Sequence, residues 1–233
     1  MLPAWLWGGG LALAVALLLI GVRLSRGAPH QSIALRGALG GLVLVAMALE
    51  LPLGPIEYHL SLVGPVGVLV GPAGAFQLIF VVSAILAFAG HGGFTVVGLN
   101  ALILGAGAAP ARPLYRRLAS ALAPAPALAL TAAACQALSG LLWIAVMALA
   151  LRSMSAAPTT HAPSGARVAV LGAFALPLWA AGVLIESSVA YALARFLARV
   201  RPDLLPMPSR PRRDRATGES AVPDAAGRRR EGR

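Results

Sequence analysis

Gly90-His91-Gly92-Gly93-Phe94-Thr95-Val96-Val97-Gly98-Leu99-Asn100 lies between two long apolar runs. Polar side chains at membrane depth are costly unless they line a cavity, pair with one another or bind something. Glycines at such a point let the backbone turn sharply or come close to a ligand. Upstream, His59 follows Glu57 and Tyr58 at the mouth of another apolar run. Two imidazoles with few other polar groups, framed by apolar helices, point to a small buried site for a transition-metal ion.

The rest of the chain makes those flanks membrane helices. It is 58% hydrophobic and 12% charged, too apolar for a soluble domain of this size. There is no Lys, and the single Cys135 sits in an apolar run, which excludes a disulfide framework and a Cys-based metal cluster. The net charge is +11, but the Arg residues gather at run ends and in the C-terminal tail. That pattern suits a cytoplasmic membrane face rather than a continuous nucleic-acid-binding surface.

A bilayer core needs roughly 20 apolar residues per helix. Apolar runs are read at 4–22, 33–51, 60–70, 75–89, 94–109, 127–151 and 168–194. The first lacks a basic leader and exceeds a signal-peptide core, so it is expected to stay. The third is short and ends at Gly71-Pro72-Ala73-Gly74, a turn signal. With seven spans and an outside N-terminus, Arg23, Arg26, Arg36, Arg112, Arg116, Arg117 and the tail are cytoplasmic. Arg152, Arg167, Glu50, Glu57, His59 and His91 then fall outside. Six spans would break the positive-inside rule, so the expectation is an all-α polytopic membrane protein of about seven helices, N-terminus outside and C-terminus cytoplasmic. Residues 1–206 form the membrane domain, and 207–233 read as a disordered Arg/Pro-rich tail. The loop around His161 and the first-loop His30 read as plain connector.

Gly37 with Gly41, and Gly67 with Gly71, have the small-xxx-small spacing of close helix packing in lipid. Gln77 and Gln136 are expected to make interhelical hydrogen bonds. Glu186 is the only acidic residue well inside a span, and a structural or partner-facing role is weighed there against ion binding. His59 and His91 are the candidate metal ligands, since imidazole suits Ni, Cu, Zn and Co(II). Asn100 and Glu57 are the supporting candidates, Glu57 as an acceptor that orients an imidazole. No nucleophile elbow, His-Glu-x-x-His pair, dinucleotide fingerprint or Walker loop is present, so no enzyme is expected and any ATP hydrolysis falls to another subunit.

The stretch from 50 to 115 resembles the CbiM/NikM family, the substrate-binding membrane components of energy-coupling-factor ABC transporters for cobalt and nickel. The likeness is carried by Leu51-Pro52, His59, Gly67, Gly71-Pro72, Gln77, His91-Gly92-Gly93-Phe94-Thr95 and Gly98-Leu99-Asn100, with Glu186 and Arg201-Pro202-Asp203-Leu204-Leu205 resembling the last helix and exit. It implies seven helices, a bacterial inner-membrane location, Co(II) or Ni(II) as transported substrate and no resident cofactor. It also implies a transmembrane coupling subunit and ATPase subunits as partners, with a small accessory membrane subunit beside them and a link to cobalamin biosynthesis. The family begins Met-His-Ile, and that N-terminus supplies metal-binding nitrogens; here the second residue is Leu2. Because Leu2-Pro3-Ala4-Trp5 keeps the family's Leu-Pro-x-Trp, a start a few codons upstream is the expectation. The alternative is a same-fold accessory or binding protein that has lost these ligands and takes another small ligand or none.

Overall fold

The structure is a computed structural model that describes residues 3–25, 33–53, 56–91, 93–155 and 164–206. The Met1-Leu2 start, His30, His161 and the tail 207–233 lie outside the described residues. The elements are α1 (Ala4–Ser25), α2 (Ile33–Ala48), β1 (Glu50–Leu53), β2 (Ile56–His59), α3 (Val63–Phe88), α4 (Val97–Ala108), α5 (Ala111–Leu118), α6 (Pro124–Ser155) and α7 (Ser164–Val200), with short 3₁₀ turns at Phe94–Val96 and Pro202–Leu204. Five stretches among the described residues are long and apolar enough to cross a membrane: Ala4–Arg23, Val63–Phe88, Phe94–Leu118, Pro124–Ser153 and Gly172–Val200, with Ile33–Ala48 shorter. Large apolar side chains face outward, among them Phe88, Phe174, Leu184 and Phe196. In water each would lose about 25 cal/mol per Å² of exposed apolar surface, a cost that hydrocarbon removes.

The second run ends earlier than read from sequence. α2 stops at Ala48, and Glu50–Leu53 and Ile56–His59 pair as an antiparallel hairpin with Glu50 opposite His59 and Leu51 opposite Tyr58. Pro52 and the Gly54-Pro55 pair break helix in this segment. Among the described residues the chain is helical apart from this one ladder, a departure from the all-α expectation.

The third and fourth runs are two arms of α3, divided at Gly71, whose φ of 74° favours glycine, followed by Pro72. Gly67 lies against Ala108 and Gly71 against Arg112, whereas Phe76 meets Gly105 and the Phe88 ring meets Phe94 edge-on at 4.8 Å. The arms therefore run along α4 in opposite senses. The first, 63–70, is ~12 Å long at the α-helical rise and too short to cross a bilayer core of ~30 Å. Arg112 braces the bend by donating to two carbonyls just ahead of it: Nε to Val68 O (3.1 Å) and an Nη to Leu69 O (3.2 Å). Arg112, Arg116 and Arg117, read as a charged cluster closing the fifth run, lie on the helix α5 with Tyr115 fully buried.

Glycines bring backbones together across α1, α3, α4 and α6. Gly98 lies against the Leu11 backbone, Gly64 against Ala132 and Gly10 against Leu99. Of the two spacings singled out from sequence, Gly67 does make such an approach, while Gly71 is the bend. Gly37 and Gly41 face open space, so their spacing packs no helix among the described residues. Gln77 likewise differs from expectation: its buried amide nitrogen has no hydrogen-bond partner among the described residues.

The contacts order the ends of the bundle. Leu11 meets Gly98 and Gly21 meets Ala73 and Gln77, so α1 and α4 run in the same direction. The end of α1 that carries Arg23, the Gly71 bend and α5 thus share one end. From there α6 runs away and α7 returns beside it, with Trp179 packed on Gly140. Arg199 and Arg201 come back to the α5 end, and Arg152 lies at the other.

Candidate functional site

Between the hairpin, α4, α6 and α7 lies a cavity of about 330 Å³. Its wall holds Tyr58 and His59 from β2, Ser61 from the turn before α3, Asn100 from α4, Gln136, Ser139 and Trp143 from α6, and Trp179 from α7. Polar groups gather here in a mostly apolar interior: Ser61, Gln136 and Ser139 are all buried. Two glycines open the space, since a Cβ at Gly182 would collide with the Tyr58 ring and one at Gly140 with the Trp179 indole.

His59 is half-buried, and its Nδ1 is 2.9 Å from the carbonyl oxygen of Met47 at the end of α2. A carbonyl only accepts, so Nδ1 carries the proton. In the neutral ring Nε2 then keeps its lone pair, the state in which imidazole binds a metal ion, with the backbone acceptor fixing tautomer and ring orientation.

Behind His59 the turn is held by Glu186 of α7, which is 1% exposed. Its Oε1 accepts from the Ser61 N–H (2.5 Å) and the Ser61 hydroxyl (2.7 Å). The Leu62 N–H reaches both carboxylate oxygens, at 3.1 and 3.0 Å. Ser61 Oγ also lies 3.0 Å from Gln136 Oε1, and Gln136 Nε2 donates to the Tyr58 hydroxyl at 3.0 Å. Trp179 Nε1 donates to the Gln136 carbonyl at 3.2 Å. Burial, and next the negative charge of Glu186, hold the Tyr58 phenol above its ordinary range, so it stays neutral.

Of the residues singled out from sequence, His59 and Asn100 share the cavity. His91 is not among its lining residues; it sits in the turn after α3, its backbone N–H bonded to Leu86 O at 2.9 Å. Glu57 pairs with Pro52 in the hairpin register, and its side chain lies outside the described residues. Among the described residues no group of three or more His, Cys, Asp or Glu converges on one point. Gln136 differs from expectation in its partners: its side chain meets Tyr58 of β2 and Ser61 of the turn before α3 rather than another helix, and of the roles weighed for Glu186 the structure shows the structural one. Tyr58, Ser61, Trp143 and Trp179 were not singled out as site residues. The available signal was a Ser at a helix entry and tryptophans inside apolar runs, each of which is common in membrane helices.

The family model for the cobalt uptake substrate-specific transmembrane region, CbiM, matches residues 1–204. No curated protein matches the chain.

Proposed function

The chain belongs to the CbiM family of cobalt-uptake transmembrane components, and from that premise we propose that it is the substrate-capture subunit of an energy-coupling-factor transporter. It takes Co(II) or Ni(II) from outside, and separate subunits hydrolyse ATP and move the loaded bundle. Such a component is a transporter part and not an enzyme. The observation that carries the reading is the His59 ring, held by Met47 O through Nδ1 at the wall of a buried cavity. We assign His59 as a direct nitrogen ligand. Asn100 hydrogen-bonds the ion's remaining water or shapes the wall. His91, the second imidazole expected at the metal, shapes the glycine-rich neck between α3 and α4, and Glu57 keeps its supporting role in the hairpin.

We read the chain as seven helical segments, with the short arm 63–70 as a half-crossing, an outside N-terminus and a C-terminus in the cytoplasm of a bacterial inner membrane. The end that carries Arg23, Arg112, Arg116, Arg117 and Arg199 then lies inside, which supports this orientation under the positive-inside rule. The partners are a transmembrane coupling subunit, ATPase subunits and a small accessory membrane subunit.

The test is uptake of radioactive cobalt by cells that express the full gene product with its partner subunits. His59→Ala is expected to abolish uptake at unchanged membrane content; wild-type uptake refutes the assignment. A second reading is favoured by the single imidazole in the cavity wall and the lack of a three-residue metal cluster among the described residues. In that reading the same fold serves as an accessory or binding protein for another small ligand. It is supported if the wild type neither binds nor transports either metal.

A further inference from the structure

We propose that Glu186 is the positioning residue of the cation site: without lining the cavity, its carboxylate fixes the turn that carries Tyr58, His59 and Ser61 into it. This rests on the reading of His59 as a cation ligand. Three donors from two consecutive residues converge on this one carboxylate, and they come from a segment more than a hundred positions earlier in the chain. A local cap is absent at this helix start. Leu62, at the entry to α3, makes no side-chain cap bond and holds φ 52° and ψ 27°, the left-handed region that a branched side chain avoids. Glu186 stands in for the missing cap from another helix. It accepts from the two N–H groups just ahead of α3, those of Ser61 and Leu62, and places a negative group near the positive end of the helix dipole.

The clamp reaches the cavity by two routes. Through the backbone, Ser61 is two residues from His59, so the turn sets where the imidazole emerges. Through side chains, Ser61 contacts Gln136 and Gln136 bonds Tyr58, both of them wall residues. The glycine at 182, one helical turn before Glu186, lets the Tyr58 ring pass against α7. The two ends of the hairpin turn are thus keyed to the same stretch of α7, while His59 is tied on its other side to α2 through Met47. A carboxylate with no role at the site would not require this two-sided registration.

The experiment uses the full chain with its partner subunits and reads cobalt uptake kinetics, together with hydrogen exchange of the segment 58–66 in purified protein. Glu186→Gln keeps the size and one acceptor oxygen but removes the charge and turns an N–H₂ group toward the Leu62 N–H, where Oε2 accepted. Apparent KM for cobalt is expected to rise about tenfold, equivalent to ~1.4 kcal/mol of binding, and the 58–66 amides to exchange faster. Glu186→Asp keeps an acceptor-only group and is expected to fall between Gln and wild type. Leu128→Ala, a fully buried core truncation outside the cavity wall, controls for general loosening and is expected to leave KM and the 58–66 exchange unchanged. Wild-type KM and exchange in Glu186→Gln, or the same KM rise in Leu128→Ala, overturns the proposal. If the wild type carries neither cobalt nor nickel, the ligand reading of His59 falls, and the hydrogen exchange alone decides whether Glu186 holds the turn.

Discussion

Replacing Gly64 by Ala is expected to destabilise the protein and weaken cobalt uptake, although Ala is the better helix former. A Cβ at Gly64 would stand 2.5 Å from Ala132 Cα, 2.9 Å from its Cβ and 3.1 Å from its backbone N. Carbon atoms settle at about 3.5–4.0 Å, so α3 and α6 must part by ~1 Å. No rotamer change relieves it, because most of what is struck is backbone. One turn back, the same parting of α3 and α6 moves Ser61 away from Gln136, which lie 3.0 Å apart in the wall of the cavity. Overpacking costs about 1–3 kcal/mol. Relief of the glycine entropy returns about 0.8–1.0 kcal/mol. The net loss is up to ~2 kcal/mol, read by reversible unfolding in mixed detergent micelles and accompanied by a raised KM for cobalt. Gly37→Ala is the matched control, with nothing within 4 Å of its Cβ, and is expected to be neutral or stabilising by up to ~1 kcal/mol. A Gly64→Ala protein as stable and active as wild type, or an equally damaging Gly37→Ala, would refute the packing argument.

Arg112→Gln removes the charged fork that serves Val68 O and Leu69 O and is expected to cost about 2–3 kcal/mol in the same unfolding titration, with Arg112→Lys restoring only part. Gly182→Ala pushes a methyl group into the Tyr58 ring and should raise KM for cobalt while membrane content changes little; an unaltered KM would show that the ring has room to move. Tyr58→Phe removes the acceptor of the Gln136 amide and should cost ~1 kcal/mol of stability, measured by unfolding, with a smaller effect on uptake than His59→Ala.

Much of the architecture was legible in the chain, and the reasons are local. Runs of apolar residues closed by Arg mark the helices because burying backbone in lipid demands helix and charge demands water. The Gly71-Pro72 break was visible because one residue supplies the positive φ and the next cannot continue the helical bond pattern. The reversal itself was legible too, since 60–70 and 75–89 read as separate runs joined by a turn. What escaped was the brace: Arg112, about forty residues on, donates to Val68 O and Leu69 O. The glycine spacings fared unevenly for the same reason: Gly67 and Gly37 look alike in sequence, and only the neighbouring helix distinguishes them.

At the site, His59 and Asn100 could be picked out because polar groups are rare in apolar runs, and the fold does bring them to one cavity. His91 met the same criterion and lies outside that wall, because rarity says nothing about which way a turn points. Glu186 was conspicuous by its charge, but its task was hidden: its donors are backbone N–H groups, which every residue has and no motif marks. Composition and periodicity by themselves determined a helical membrane protein with a few polar groups set in apolar runs, because hydration energies act on each residue wherever its partners are. Tertiary structure alone decided which imidazole faces the cavity and which carboxylate receives the N–H groups of the turn beside it, because those outcomes depend on hydrogen bonds between segments that only folding brings within about 3 Å.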